Sequence, residues 1–198
     1  MKISTGTAVL FNGTGKELQI TQTEFPDLAA GEVLVQISAT TLCGSDLHTY
    51  EGRRQTATPA VLGHEIIGRV VALSEIEPAT TYAGESLQIG DRVTWSLCVH
   101  CGECFFCEHD LPQKCEQLLK YGHQSFATHP WCGGLATHII LRRHSSPLKF
   151  PIPSLMMLPV LQLRHGYGSG LRRAGGVGER KCRSVGGGDA GSDCRRDG

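Results

Sequence analysis

The stretch from Cys101 to Cys115 reads CGECFFCEHDLPQKC, with Cys101, Cys104, Cys107 and Cys115 separated by two, two and seven residues. Tetrahedral Zn²⁺ takes four thiolates at about 2.3 Å. Two-residue gaps let a tight turn aim successive sulfurs at one point, and the longer gap lets the chain return to close the cage. A disulfide pair is the competing reading, but such tight repeats point to metal. Cys98 lies just before the cluster. Using it as a ligand breaks the two-two-seven pattern, because the matching fourth position is Pro112. It is read as a bystander.

Working outward, the chain has 198 residues, enough for one domain or slightly more. Lys plus Arg equals Asp plus Glu, 19 each, so charge favours neither nucleic acid nor membrane as a partner. The cysteine count, nine, is odd, and no N-terminal apolar run resembles a signal peptide. The longest apolar stretch, Leu155–Leu161, is too short to span a bilayer. These features predict a reduced, cytoplasmic protein with thiolate metal sites.

Composition changes along the chain. Residues 164–198 carry eight Lys/Arg against four Asp/Glu and 11 of the 25 glycines. The first 163 residues hold 11 basic and 15 acidic side chains. With few large apolar side chains, the tail cannot bury enough surface to offset its ordering entropy, which predicts disorder.

Towards the N-terminus the pattern is β. Thr7–Phe11 reads as a strand followed by the turn pair Asn12-Gly13, and Glu17–Thr23 alternates polar and apolar residues. Glu32–Ile37 alternates as a half-buried strand does, and short strands at this spacing suggest a barrel or sandwich. In Leu42-Cys43-Gly44-Ser45-Asp46-Leu47-His48, Ser45 or Asp46 is positioned to cap a short helix, with His48 one turn beyond Ser45. Gly63-His64-Glu65-Ile66-Ile67-Gly68 places an imidazole and a carboxylate beside a strand of buried character. A lone Cys43 is by default a small buried hydrophobe. Beside His64 and Glu65 it becomes part of a mixed donor set of the kind that leaves one position open for substrate. Ile89–Trp95 reads as a turn into a strand, and Gly133–Ile140 as a bend into another.

Taken together, these residues resemble the zinc-binding medium-chain alcohol dehydrogenase family. The matching pieces are Cys43–His48, Gly63–Gly68, Gly90-Asp91-Arg92-Val93, the four-cysteine lobe and Gly133-Gly134-Leu135-Ala136. They occur in the family's order and spacing over roughly residues 5–153. Ser74 departs from the Gly or Ala more usual in the zinc signature. Leu111–Cys115 with Lys120-Tyr121-Gly122-His123 looks most like a branch associated with phosphonate catabolism.

The resemblance implies a mainly β fold with short helices, in which a GroES-like β-barrel catalytic domain over residues 1–153 precedes a Rossmann domain that binds NAD(P). It implies Cys43 and His64 as catalytic zinc ligands, with Glu65 nearby or alternating. Asp46 would orient His64, and Ser45 would meet the substrate hydroxyl and pass its proton towards His48. Cys101, Cys104, Cys107 and Cys115 would hold a structural zinc. The activity implied is hydride transfer from a small-molecule alcohol or polyol to NAD(P), with oligomers common in the family. Two other readings are a non-enzymatic zinc-binding module and a zinc-ribbon nucleic-acid binder. Against the last, residues 1–163 are net acidic and the lobe has only Lys114 as a cation.

The family's third zinc ligand and cofactor domain should begin soon after residue 153, and neither is legible there. Gly186-Gly187-Gly188 follows no apolar strand and opens no apolar helix, so it is no substitute for G-x-G-x-x-G. Read one nucleotide later, the codons of Gln162–Ser169 permit N-C-A-T-A-T-V-A, which looks like the family's third-ligand stretch. Those of Lys181–Asp197 permit S-V-V-L-L-G-A-G-M-L-G-L-T-A-A-A-M, a strand, glycine turn and helix start. Residues 154–198 are therefore expected to be an out-of-frame tail in place of the missing Rossmann domain, leaving the chain truncated and inactive alone. The DNA across codons 150–198 decides this.

Overall fold

The computed structural model describes residues 3–150. The expected tail over 154–198, including Gly186–Gly188, lies outside them.

The described chain is mainly β with short helices. A hairpin comes first: β1 (Thr5–Leu10) pairs antiparallel with β2 (Gln19–Glu24), from Thr5 opposite Glu24 to Leu10 opposite Gln19. Strand side chains alternate faces, so Gly6, Ala8 and Leu10 turn inward while β2 stays largely exposed. The main sheet then collects β3 (Val33–Thr41), β4 (Glu65–Leu73), β5 (Arg92–Thr94), β8 (His138–Leu141) and β9 (Leu148–Lys149) in the order β8-β3-β4-β5-β9. Between β5 and β8, two short strands, β6 (Cys98–Val99) and β7 (Leu119–Lys120), pair at the neck of the cysteine loop. The hairpin joins the main sheet through Val9 N–H to Leu135 O, 2.8 Å, and Thr137 N–H to Thr7 O, 2.8 Å.

The sheet is covered on both sides. Val33 and Val35 of β3 pack with Ile139 and Leu141 of β8 in a cluster that includes Ile66, Val70, Val93, Trp95 and Tyr121. The alternate residues Leu34 and Ile140 pack on the other side with Ala8, Leu10, Val61 and Trp131. The alternation over 32–37 predicted a half-buried strand, but Val33, Leu34 and Val35 are all buried because each face meets its own cluster. Each fully buried aliphatic of this kind contributes roughly 1.5–3 kcal/mol. Tyr121 is fully buried, and its hydroxyl meets Ser145 Oγ at 2.7 Å and accepts from Arg142 N–H at 2.9 Å. That fastens the segment after the cysteine loop to the turn beyond β8.

The β3–β4 register places the site. The two strands pair antiparallel with irregularities at Leu34/Val35 and Ile37/Ala39, after which Thr41 falls opposite Glu65. The residues just beyond Thr41 and just before Glu65 must then face one another. Those residues include Cys43 and His64. Among the described residues no helix is long and apolar enough to cross a membrane.

Candidate metal centres

In the cysteine loop, Cys104 precedes the short helix α2 (Phe105–Glu108), and the 3₁₀ turn Pro112–Lys114 ends at Cys115. Cys101, Cys104, Cys107 and Cys115 place their sulfurs within 4.8 Å of one another. Cys104–Cys107 and Cys101–Cys115 are 3.5 Å apart and Cys101–Cys107 3.9 Å. These separations are far too long for disulfides. A tetrahedron with metal–sulfur bonds of 2.3 Å has edges of about 3.8 Å, so the sulfurs fit a zinc cage. Backbone N–H groups already point inward: Cys101 and Gln117 each donate to Cys115 Sγ at 3.3 Å. The Glu116 and Cys107 N–H groups hold the Cys104 thiol down to about 6. Desolvation and the crowding of neighbouring thiols push Cys107 up to about 12. Four sulfurs this close ionise together only around a cation. Cys98 sits in β6, apart from this group.

The second group is assembled from strand ends. Helix α1 (Gly44–Tyr50) begins directly after β3, and its N-cap is Cys43, whose Sγ accepts from Ser45 N–H at 3.3 Å. Asp46 completes a capping box by accepting from Cys43 N–H at 3.0 Å. Ser45 and Asp46 therefore lie inside the helix, as its second and third residues, and the cap falls two to three residues earlier than their residue types predicted. The second Asp46 oxygen accepts from Gly63 N–H at 3.0 Å and stands 3.5 Å from His64 Nδ1. The other ring nitrogen, His64 Nε2, is 3.3 Å from Cys43 Sγ. Zinc with one sulfur and one nitrogen ligand separates them by roughly 3.5 Å. Glu65 brings the donor set to three, all within 4.8 Å, and its carboxylate accepts from Thr41 Oγ1.

Electrostatics reinforce this arrangement. Burial opposes the Asp46 charge, yet His64 and the Gly63 and Cys43 N–H groups together hold its carboxyl below the ordinary carboxylate range. Burial likewise opposes a charged His64, but Asp46 and Cys43 outweigh it and raise the imidazole above its ordinary value. Asp46 is 1% exposed and His64 8% exposed.

Of the remaining expected residues, Ser45 Oγ lies 2.8 Å from Cys43 Sγ, while His48 is on the exposed side of α1. Two neighbours were not singled out from sequence. Thr41 holds Glu65, and His123 sets its ring 5.2 Å from that of His64, tilted by 39°. Burial, then the charges of Arg54 and His64, push His123 down to about 4. The only sequence trace of His123 was its place in the Lys120–His123 run.

Every strand pairing in the described residues is antiparallel, so no strand–helix–parallel-strand unit for a dinucleotide is present among them. Residues 29–153 match the family described as the alcohol dehydrogenase GroES-like domain. The chain belongs to that family. One curated relative of this GroES-like domain is zinc-type alcohol dehydrogenase B of Aspergillus flavus, 37% identical over 93 residues, or 47% of this chain and 20% of that protein. Among solved structures, an alcohol dehydrogenase of Thermotoga maritima superposes with a TM-score of 0.72 at 29% identity, covering 80% of this chain and 44% of that one. The short chain alcohol dehydrogenase of Escherichia coli CFT073, complexed with NADH, gives a TM-score of 0.60 at 29% identity over 76% of this chain and 40% of that one. The chain thus spans less than half the length of these relatives.

Proposed function

We propose that the chain is the catalytic portion of a zinc-dependent alcohol or polyol dehydrogenase, and that these 198 residues alone do not turn over substrate. The observation that carries this reading is Cys43 Sγ at 3.3 Å from His64 Nε2, with Glu65 in the same donor set. On this reading Cys43 and His64 hold the catalytic zinc, with Glu65 near or alternating with it. Cys101, Cys104, Cys107 and Cys115 hold a second zinc that has no position open to substrate. A catalytic zinc polarises an alcohol oxygen and lowers its pKa.

The residues of the chain do the rest. Asp46 steadies the His64 ring from its Nδ1 side while also fixing the Cys43 and Gly63 backbone. Ser45 Oγ, 2.8 Å from Cys43 Sγ, takes the substrate hydroxyl proton and hands it on towards His48 at the surface. The hydride acceptor is NAD(P), and the substrate is a small-molecule alcohol. Seven free cysteines among the described residues fit a reducing compartment, the cytoplasm.

The test is an NADH fluorescence titration of the zinc-loaded chain, followed by an assay for alcohol-dependent NAD(P)H production. No binding and no turnover are expected. Measurable turnover would contradict the proposed inactivity. Zinc in the cysteine loop alone would instead favour a non-enzymatic zinc-binding module.

A further inference from the structure

Glu65 is held from two sides by the fold itself. The β3–β4 pairing shifts by one residue between Ile37 and Ala39, and beyond the shift Thr41 lies opposite Glu65. In the register before the shift, with Ile37 opposite Gly68, Thr40 would have met Glu65 instead. Neighbouring strand residues point to opposite faces, so the shift decides which threonine shares a face with the Glu65 carboxylate. Residues directly opposite on one face stand about 5 Å apart at Cβ, within reach of a hydroxyl and a carboxylate. Thr41 Oγ1 donates to Glu65 Oε2. Thr40 Oγ1 donates to the Glu65 carbonyl at 3.2 Å, and Thr94 Oγ1 to the Ile66 carbonyl at 3.0 Å. Both ends of Glu65 are anchored, its backbone by Thr40 and its side chain by Thr41.

The anchored carboxylate has an oxygen to spare. Thr41 engages one of the two, and among the described residues no cation pairs with Glu65. The Cys43 sulfur, a His64 ring nitrogen and a Glu65 carboxylate oxygen lie within 4.8 Å of one another. A thiolate and a carboxylate together carry two negative charges, which match a divalent ion. A ligating carboxylate is itself commonly held by a hydrogen bond, and loss of that bond weakens the metal.

We propose that Thr41 is a positioning residue that fixes Glu65 as a standing third ligand beside Cys43 and His64, rather than a carboxylate that alternates. This rests on the reading of Cys43 and His64 as a metal site. The site then keeps its ion on donors from the end of β3 and the start of β4 alone, with no donor from beyond residue 150. One tetrahedral position is left for the substrate hydroxyl.

The test uses the full chain loaded with Co²⁺ in place of zinc, whose visible bands report the donors around the ion. Thr41 is exposed and Thr41→Val keeps its β-branched shape, so the strand should tolerate the change. Against a competing chelator, Thr41→Val should hold Co²⁺ at the Cys43 site about tenfold more weakly, and the Cys43-dependent bands should shift. Thr41→Ser keeps the hydroxyl and should retain the wild-type affinity and bands. Glu65→Gln should lose at least as much as Thr41→Val, and combining the two should cost nothing further, because Thr41 acts only through Glu65. The bands of the four-cysteine site should stay unchanged throughout and report an intact fold. Wild-type binding by Thr41→Val, a loss that Thr41→Ser shares, a loss that persists in the Glu65→Gln background, or disturbed four-cysteine bands in Thr41→Val would each overturn the proposal while leaving the metal site standing. If Cys43→Ser leaves every cobalt band unchanged, the metal-site reading fails and this inference fails with it.

Discussion

The cysteine loop gathers all four donors from residues 101–115, with two short turns and an inward set of backbone N–H groups. The Cys43–His64–Glu65 group draws on the end of one strand and the start of its neighbour, and depends on two irregularities in their pairing. The first is a local, closed cage whose geometry is nearly that of the bound metal. The second has three donors among the described residues, brought together by the β3–β4 register and the Asp46 hydrogen bonds. A closed local cage suits a structural ion; an open one set by long-range pairing suits an ion that must accept substrate.

The largest effect should come from breaking the local cage. Cys115→Ser removes a buried sulfur that also accepts two backbone N–H bonds, and loss of a metal site destabilises by more than about 4 kcal/mol. Thermal melts with and without added zinc should show a lower midpoint that zinc no longer raises.

Asp46→Ala should come next. It leaves the Cys43 and Gly63 N–H groups without their acceptor in a buried setting, at a cost of about 3 kcal/mol. It should also weaken metal at the Cys43 group by about 10–100-fold, measurable by chelator competition, while the cysteine loop keeps its ion.

The smallest of the three is Gly134→Ala. A methyl there would lie 2.4 Å from Thr40 Oγ1, 3.1 Å from Ile66 Cγ1 and 3.2 Å from the backbone of Gly63, the residue before His64. Overpacking of this kind costs about 2 kcal/mol. Denaturant melts should show that loss without any change in metal at the cysteine loop.

The same contrast decides how much was legible in the sequence. The cysteine spacing is a local code, and the sulfurs stand where it placed them. Cys43 and His64 are separated by 21 positions, so spacing alone could not pair them; their residue types suggested a mixed donor set with Glu65, and the resemblance to a family gave that set its catalytic role. The helix cap was misassigned because Ser and Asp are the usual capping types, whereas here Cys43 caps and Asp46 answers from the third helical position. The two-sided burial of Val33–Val35 was hidden because alternation reads as one buried face, and only the tertiary arrangement supplies the second cluster. The approach of His123 to His64 depends on Gly122 packing on Gly63, a contact between segments that no local pattern encodes.

The most direct test of the two-centre account is the zinc content of purified chain, measured by mass spectrometry of the metal for the wild type, Cys43→Ser and Cys104→Ser. Two zinc ions per wild-type chain are predicted, falling to one in each variant. A single zinc in the wild type that Cys43→Ser leaves untouched would contradict it.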